Sequence, residues 1–150
     1  MKQDLKSQTP ADAVSAPAAN TIMLVDDAGE ILAALAEVLL GRSYRVLSYS
    51  RPQAAIAAIR SGIPVDLVIT DLRMPGMDGL DLVAALKTIA PRVPVVMLTA
   101  QGDVDSYFKA FSLGVFDYVN KPIDQATLAR VIKAAIAQKL TGQKKPTGAC

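Results

Sequence analysis

Three aspartates, a threonine and a lysine stand where the apolar runs of this chain end, and together their types fit one chemistry. Asp26 and Asp27 close the run Ile22-Met23-Leu24-Val25, and Asp71 closes the run from Val65 to Thr70. Thr99 closes Val93 to Leu98, and Lys121 ends the stretch that begins with Val115 to Val119. Two carboxylates about 4 Å apart repel by roughly 1 kcal/mol in water and by about 4 kcal/mol at a surface-like dielectric. A cluster of three therefore needs positive charge. Lys121 supplies one, and a hard divalent cation bound through oxygens supplies the rest. An open set of acids at a solvent edge suits magnesium with retained waters better than a closed calcium cage. A carboxylate placed among a cation, an ammonium and a hydroxyl can attack phosphorus and form an acyl phosphate. Asp71 is the candidate nucleophile. Magnesium and Lys121 would offset charge on the equatorial oxygens, and Thr99 offers a hydroxyl donor to a third oxygen. The attacking carboxylate is already ionised at neutral pH, so no base is required.

The elements that must position these groups are readable from the hydrophobic pattern. From Thr21 to about Leu140, five short apolar runs alternate with helix-length amphipathic stretches, the mark of an α/β fold. Three of the runs are nearly continuous Val, Ile, Leu or Met, as strands buried on both faces are. Between them, Ile31, Leu32, Leu35, Val38 and Leu39 predict a first helix stopped by Gly41. Pro52 opens a second with Ile56 and Ile59 inward, and a third spans about Gly79 to Ile89. A fourth covers roughly Val104 to Leu113, marked by Phe108 and Phe111. Asp124 caps a fifth, in which Leu128, Val131, Ile132, Ala135 and Ile136 recur at helical spacing to about Lys139. Parallel strands need right-handed crossovers, and helices can cover both faces only if the strand order reverses. The expected fold is a flavodoxin-like (βα)5 doubly wound sheet of order 2-1-3-4-5, with its ligand site at the carboxyl ends of the strands. Strands 1, 3, 4 and 5 are neighbours there, so the five polar groups converge.

Composition bounds the rest. One folded domain over residues 21–140 is expected, with flexible tails at 1–20 and 141–150. The absence of histidine removes the commonest general base and zinc ligand. The single cysteine, Cys150, rules out an internal disulfide. A net charge of +2 with scattered basic residues gives no electrostatic case for direct nucleic-acid binding. No signal-peptide pattern or membrane-length apolar run is present, and a cytoplasmic, membrane-free protein is expected.

Four blocks carry a resemblance. Asp26-Asp27, Thr70-Asp71-Leu72-Arg73-Met74-Pro75-Gly76-Met77-Asp78-Gly79, Thr99-Ala100 and Asp117-Tyr118-Val119-Asn120-Lys121-Pro122 closely resemble the receiver domains of two-component response regulators, over Thr21 to about Lys139. The Met-Pro-Gly-Met-Asp-Gly loop looks particularly like receivers of nitrogen-regulation-type transcription activators. The resemblance implies a phosphoacceptor at Asp71 and a magnesium ion held by Asp26, Asp27, Asp71 and the backbone carbonyl of Arg73. It implies that Thr99 and Lys121 bond the phosphoryl group, that Tyr118 follows Thr99 in the switch, and that Lys121-Pro122 is cis. It further implies a sensor histidine kinase or histidine phosphotransfer protein as donor. A downstream effector would dock on the face of the fourth helix, fifth strand and fifth helix, including Phe108, Lys109, Phe111 and Tyr118, and phosphorylation-dependent homodimers belong to the same picture.

Plainer readings exist for single residues. Asp26 and Asp27 could cap the first helix, Lys121 could be a solvated strand end, and Thr99 and Tyr118 could be ordinary strand packing. Asp78 and Asp103 read as caps without chemistry. Ala28-Gly29 follows the acid pair where a polar residue is more usual, which predicts a looser start to the first helix. Arg73, a long cation two residues past the acceptor, is expected to bear on the lifetime of the phosphoryl group. A magnesium-dependent Asp-nucleophile phosphatase is the alternative, although it needs a second acid where Arg73 stands. A flavodoxin-like electron carrier would need a phosphate-cradling loop where Asp26-Asp27 lie.

Overall fold

A computed structural model describes residues 19–100 and 102–141, the side chain of Thr141 excepted. The expected tails thus lie mostly outside the described residues, as does Cys150. The strands are β1 (Thr21–Val25), β2 (Arg45–Tyr49), β3 (Leu67–Thr70), β4 (Val95–Thr99) and β5 (Asp117–Asn120). The helices are α1 (Gly29–Gly41), α2 (Pro52–Arg60), α3 (Gly79–Ile89), α4 (Val104–Leu113) and α5 (Gln125–Thr141). All neighbouring strands pair in parallel in the order β2-β1-β3-β4-β5, the expected flavodoxin-like arrangement.

Alternation along the central strands sorts the core into two layers. Met23, Val25, Val68, Val95 and Met97 face α2, α3 and α4, where they meet Ala55, Ile56, Leu82, Val83, Leu86 and Ala110. Ile22, Leu24, Leu67, Ile69, Val96 and Leu98 face the other way, onto Leu39 of α1 and Leu128, Ile132, Ala135 and Ile136 of α5. Each buried Val, Leu, Ile or Met among them contributes about 1.5–3 kcal/mol by leaving water.

One helix, α1, turns differently from expectation. In α1 the inward stripe is Leu32, Leu35, Ala36 and Leu39, while Ile31 is 43% exposed. At 100° per residue, position 32 lies within about 20° of Leu39 but position 31 lies about 80° away. In α4 the buried positions are Ser106 and Ala110, four apart, and Phe108 is 65% exposed. The caps explain where the helices begin. Asp78 and Asp103 each form a capping box, with Asp81 and Ser106 respectively. Asp124 accepts from the Thr127 amide at 2.8 Å. Ala28, the residue before α1, makes no side-chain cap bond.

Gly79, the first residue of α3, fixes how closely that helix approaches the end of β3. A Cβ at this position would overlap the backbone oxygen of Asp71 and stand 3.0 Å from the Leu72 Cα. Backbone cannot yield as a side-chain tip can. Gly79→Ala is expected to cost about 1–3 kcal/mol in urea unfolding, and a loss below a few tenths would show that α3 can move away freely.

At the opposite edge of the sheet, Asp66 joins β1 to α5: its carboxylate accepts from the Thr21 amide at 2.8 Å and from Lys139 Nζ at 3.3 Å. Burial pushes this carboxyl up, but the Thr21 amide, Lys139 and Asn20 together outweigh it and hold it below the usual carboxylate range. A depressed folded value means stability that is fully present above the unfolded value, near 3.9, and is lost as pH falls through the folded one. Asp66→Asn is therefore expected to cost about 1 kcal/mol at pH 7. The gap to wild type should close as pH is lowered from 5 toward 2; a gap unchanged across that range would contradict the assignment.

Candidate functional site

The strand ladder continues past the strand ends and so sets the polar residues side by side. The Asp26 amide donates to the Tyr49 carbonyl at 3.1 Å, the Asp71 amide to the Val25 carbonyl at 2.9 Å, and the Lys121 amide to the Thr99 carbonyl at 2.8 Å. These bonds tie the tip of β1 to those of β2 and β3 and the tip of β5 to that of β4, the β3–β4 pairing joins the two sets, and the side chains beyond the tips share one cleft. One carboxylate oxygen each from Asp26, Asp27 and Asp71 lies within 4.8 Å of the others. Lys121 Nζ is 2.9 Å from Asp26 Oδ2 and 3.9 Å from Asp71 Oδ1. The Lys121-Pro122 peptide is cis.

Each acid is differently held. Asp26 is buried, and its Oδ1 accepts from the Ala28 amide at 2.9 Å, so it anchors the start of α1 as well as the ammonium. This bond reaches the residue before α1 and not a helix amide, so the capping reading of Asp26 is not borne out, while its other oxygen lies in the cleft beside Lys121. Asp27 is exposed at the rim. Asp71 is partly buried, and its Oδ1 accepts from the Leu72 amide at 2.8 Å. Burial pushes the Asp71 carboxyl above its ordinary value. The Leu72 amide, Lys121 and the Thr99 hydroxyl pull it down, and the nearby Asp26 charge adds to the rise. Thr99, at the tip of β4, is fully buried.

A metal fits this cleft on charge and donor type. Among the described residues Lys121 is the one cation paired within 4 Å with any of the three acids, reaching Asp26 and Asp71, so a net of two negative charges is left in the cluster. Every donor is a hard oxygen, as magnesium prefers.

Tyr118 and Arg73 are placed less simply. Tyr118 is 9% exposed, and its hydroxyl lies 2.7 Å from Ser106 Oγ beneath α4. The surface expected to present Tyr118 therefore presents Tyr107 instead, whose ring packs edge-on against Tyr118, Phe108 and Phe111. Lys109 and Phe108 are exposed as expected, while Phe111 is half-buried. A strand residue at the sheet edge can face either way, and here Ser106 supplies the buried partner that a phenol needs. Arg73 directs its guanidinium to Asp103 Oδ2, 3.0 Å away. Ser106 went unnoticed in the sequence, although Asp103-x-x-Ser106 is a readable capping pattern and Ser106 stands four residues before Ala110.

Residues 22–133 match the family model described as the response regulator receiver domain. The chain belongs to the response-regulator receiver family. This receiver is 34% identical over 116 residues to the DNA-binding transcriptional regulator NtrC of Salmonella typhimurium, covering 77% of this chain and 24% of that protein. It is 34% identical over 114 residues to the response regulator protein PilR of Pseudomonas aeruginosa, covering 76% of this chain and 25% of that one. The chain thus spans about a quarter of the length of these curated relatives. Among solved structures, a response regulator receiver domain protein from Clostridium thermocellum superposes with a TM-score of 0.78 at 30% identity, covering 83% of this chain and 99% of that one. The receiver's acidic pocket of Asp26, Asp27 and Asp71 is a set that could hold a metal. No helix among the described residues is long and apolar enough to cross a membrane.

Proposed function

We propose that this receiver is a phosphorylation-activated switch in a two-component phosphorelay, with Asp71 as the acceptor. The observation that carries the reading is the convergence of Asp71 with Lys121 and the Asp26-Asp27 pair at adjoining strand tips. A carboxylate oxygen of Asp71 attacks the phosphorus of a phosphohistidine on a sensor histidine kinase or histidine phosphotransfer protein. The P–N bond breaks, the imidazole leaves and takes a proton from solvent, and the acyl phosphate remains on Asp71. Asp26, Asp27, Asp71 and the Arg73 backbone carbonyl would hold magnesium, which supplies positive charge to the phosphoryl oxygens when bound. Lys121 moves its ammonium from the Asp26–Asp71 pair to a phosphoryl oxygen, and the Thr99 hydroxyl donates to another. Later attack by water on phosphorus breaks the Asp71 O–P bond, releases inorganic phosphate and returns the carboxylate, so the only turnover is self-dephosphorylation and the domain is not an enzyme in the ordinary sense.

The output is a shift in population between two arrangements of α4, β5 and α5. Thr99 draws toward the phosphoryl group, Tyr118 follows, and the exposed α4 residues Val104, Tyr107 and Phe108 are re-presented to an effector protein or to a second copy of the chain. In this reading the domain works in the cytoplasm, without direct nucleic-acid or membrane contact. The phosphatase alternative is disfavoured by Arg73, which stands where that chemistry needs a second acid. Incubation with acetyl phosphate and magnesium, read by intact mass, tests the proposal. Wild type should gain one phosphoryl group and Asp71→Ala none; equal gain in both would move the acceptor elsewhere.

A further inference from the structure

Arg73 stands two residues past Asp71 in the acceptor loop, and its guanidinium bonds Asp103 Oδ2 at 3.0 Å. Asp103 is itself the start of α4. Its Oδ1 accepts from the Ser106 amide at 2.8 Å, its own amide donates to Ser106 Oγ at 3.1 Å, and its carbonyl accepts from the Tyr107 amide at 3.0 Å. Ser106 Oγ in turn lies 2.7 Å from the Tyr118 hydroxyl. The adjoining Gly102 closes the arrangement, since a Cβ there would overlap the Tyr118 hydroxyl and approach Asn120 Oδ1 to 3.0 Å. The acceptor loop, the first turn of α4 and the aromatic residue of β5 are therefore tied at a single helix cap.

We propose that Arg73 is a positioning residue that couples the charge at position 71 to the first turn of α4 through its ion pair with Asp103. The coupling rests on the reading of Asp71 as phosphoacceptor. With a bare carboxylate at 71, the guanidinium pairs with Asp103 and steadies the cap. A phosphoryl group at 71 carries about −2 charge and three strong acceptor oxygens, which match the guanidinium fork better than a carboxylate already engaged by a backbone amide. Both side chains of the existing pair are about half exposed, at 47% and 55%, so solvent and salt weaken it and it yields to a stronger partner. Arg73 then turns to the phosphoryl group, Asp103 keeps only its cap bonds, and the first turn of α4 loosens where Ser106 meets Tyr118.

Amide hydrogen exchange at Ser106 and Tyr107 reads this coupling directly in the full chain, with and without acetyl phosphate and magnesium. Asp103→Asn separates the ion pair from the cap, because Asn caps a helix about as well as Asp. In the unphosphorylated protein, Arg73→Gln and Asp103→Asn should each exchange about threefold faster than wild type. The double variant should be no faster than either single one, as expected for two residues acting through one contact. Arg73→Lys should lie nearer wild type, and 1 M salt should bring wild type toward the variants. Phosphodonor should speed exchange in wild type and add little in Arg73→Gln. Wild-type exchange rates in both single variants, or full additivity in the double, would overturn the proposal. A wild type that gains no phosphoryl group by intact mass overturns the reading of Asp71, and the coupling with it. A wild type that gains the group while Arg73→Gln responds as strongly as wild type overturns the coupling alone.

Discussion

Asp71→Asn is expected to be more stable than wild type in metal-free buffer at neutral pH, and unable to take up a phosphoryl group. Burial, the largest influence on this carboxyl, raises it above its unfolded value, and the neighbouring Asp26 charge raises it further. With a raised folded value the native state binds more protons than the unfolded one across the intervening pH range, so stability falls as pH rises through the folded value. At neutral pH the ionised Asp71 therefore costs stability. The amide keeps an oxygen for the Leu72 amide and removes one of three like charges crowded within 4.8 Å, a relief of about 1 kcal/mol. Magnesium should reverse the order. At ten times its dissociation constant it stabilises wild type by about 1.4 kcal/mol, and the variant has lost one of the acids that would hold it. Urea unfolding of both proteins in chelator and in magnesium checks this. A variant less stable than wild type in chelator, or a wild type that magnesium does not stabilise, would contradict it.

Lys121→Met is expected to damage both the fold and the reaction. Its side chain is 15% exposed, and its ammonium bonds the carboxylate of Asp26, whose side chain is 10% exposed. Removing one partner of a buried ion pair costs about 3–5 kcal/mol, and access to solvent at the cleft mouth lowers this to about 2–3 kcal/mol here. Added magnesium should restore part of the loss by supplying the missing positive charge to the acids. It should not restore the reaction, because the Lys121 ammonium, 3.9 Å from Asp71 Oδ1, is placed to meet a phosphoryl oxygen there without a change of partner loop. Loss of one preorganised donor of this kind slows a step by about 10²- to 10³-fold. The rate of phosphoryl gain from acetyl phosphate, with Lys121→Arg as the charge-keeping control, measures the effect. Wild-type rates in Lys121→Met would remove the lysine from the proposed chemistry.

Much of this site was legible because its residues interrupt an otherwise apolar pattern. Asp26, Asp71, Thr99 and Lys121 each end a run that reads as a buried strand, and parallel pairing then leaves them at one edge of the sheet. What escaped the sequence depends on rotation and on long-range partners. Ile31 and Leu32 are equally apolar, and only the packing of Leu39 against the sheet decides which of the two faces in. Tyr118 lies on an edge strand, where either face is available, and its burial follows from a hydrogen bond to Ser106 on another element. The Arg73–Asp103 pair spans 30 positions, and nothing local in either residue announces the other. Bonds that join neighbours in sequence could be anticipated, as at the Asp78 and Asp103 caps. The Arg73–Asp103 bond, made by the meeting of two loops, could not.

The central claim, that Asp71 is the oxygen nucleophile of a metal-supported phosphoryl switch, is tested most directly by locating the modified atom. Wild type treated with acetyl phosphate and magnesium should be reduced with borohydride, which converts an acyl phosphate on aspartate to homoserine, and then mapped by peptide mass spectrometry. Homoserine at position 71, dependent on magnesium and missing at Asp26 and Asp27, is the predicted result. Homoserine at either of those two positions instead, or an unreduced Asp71 in protein that has gained phosphate, would contradict it.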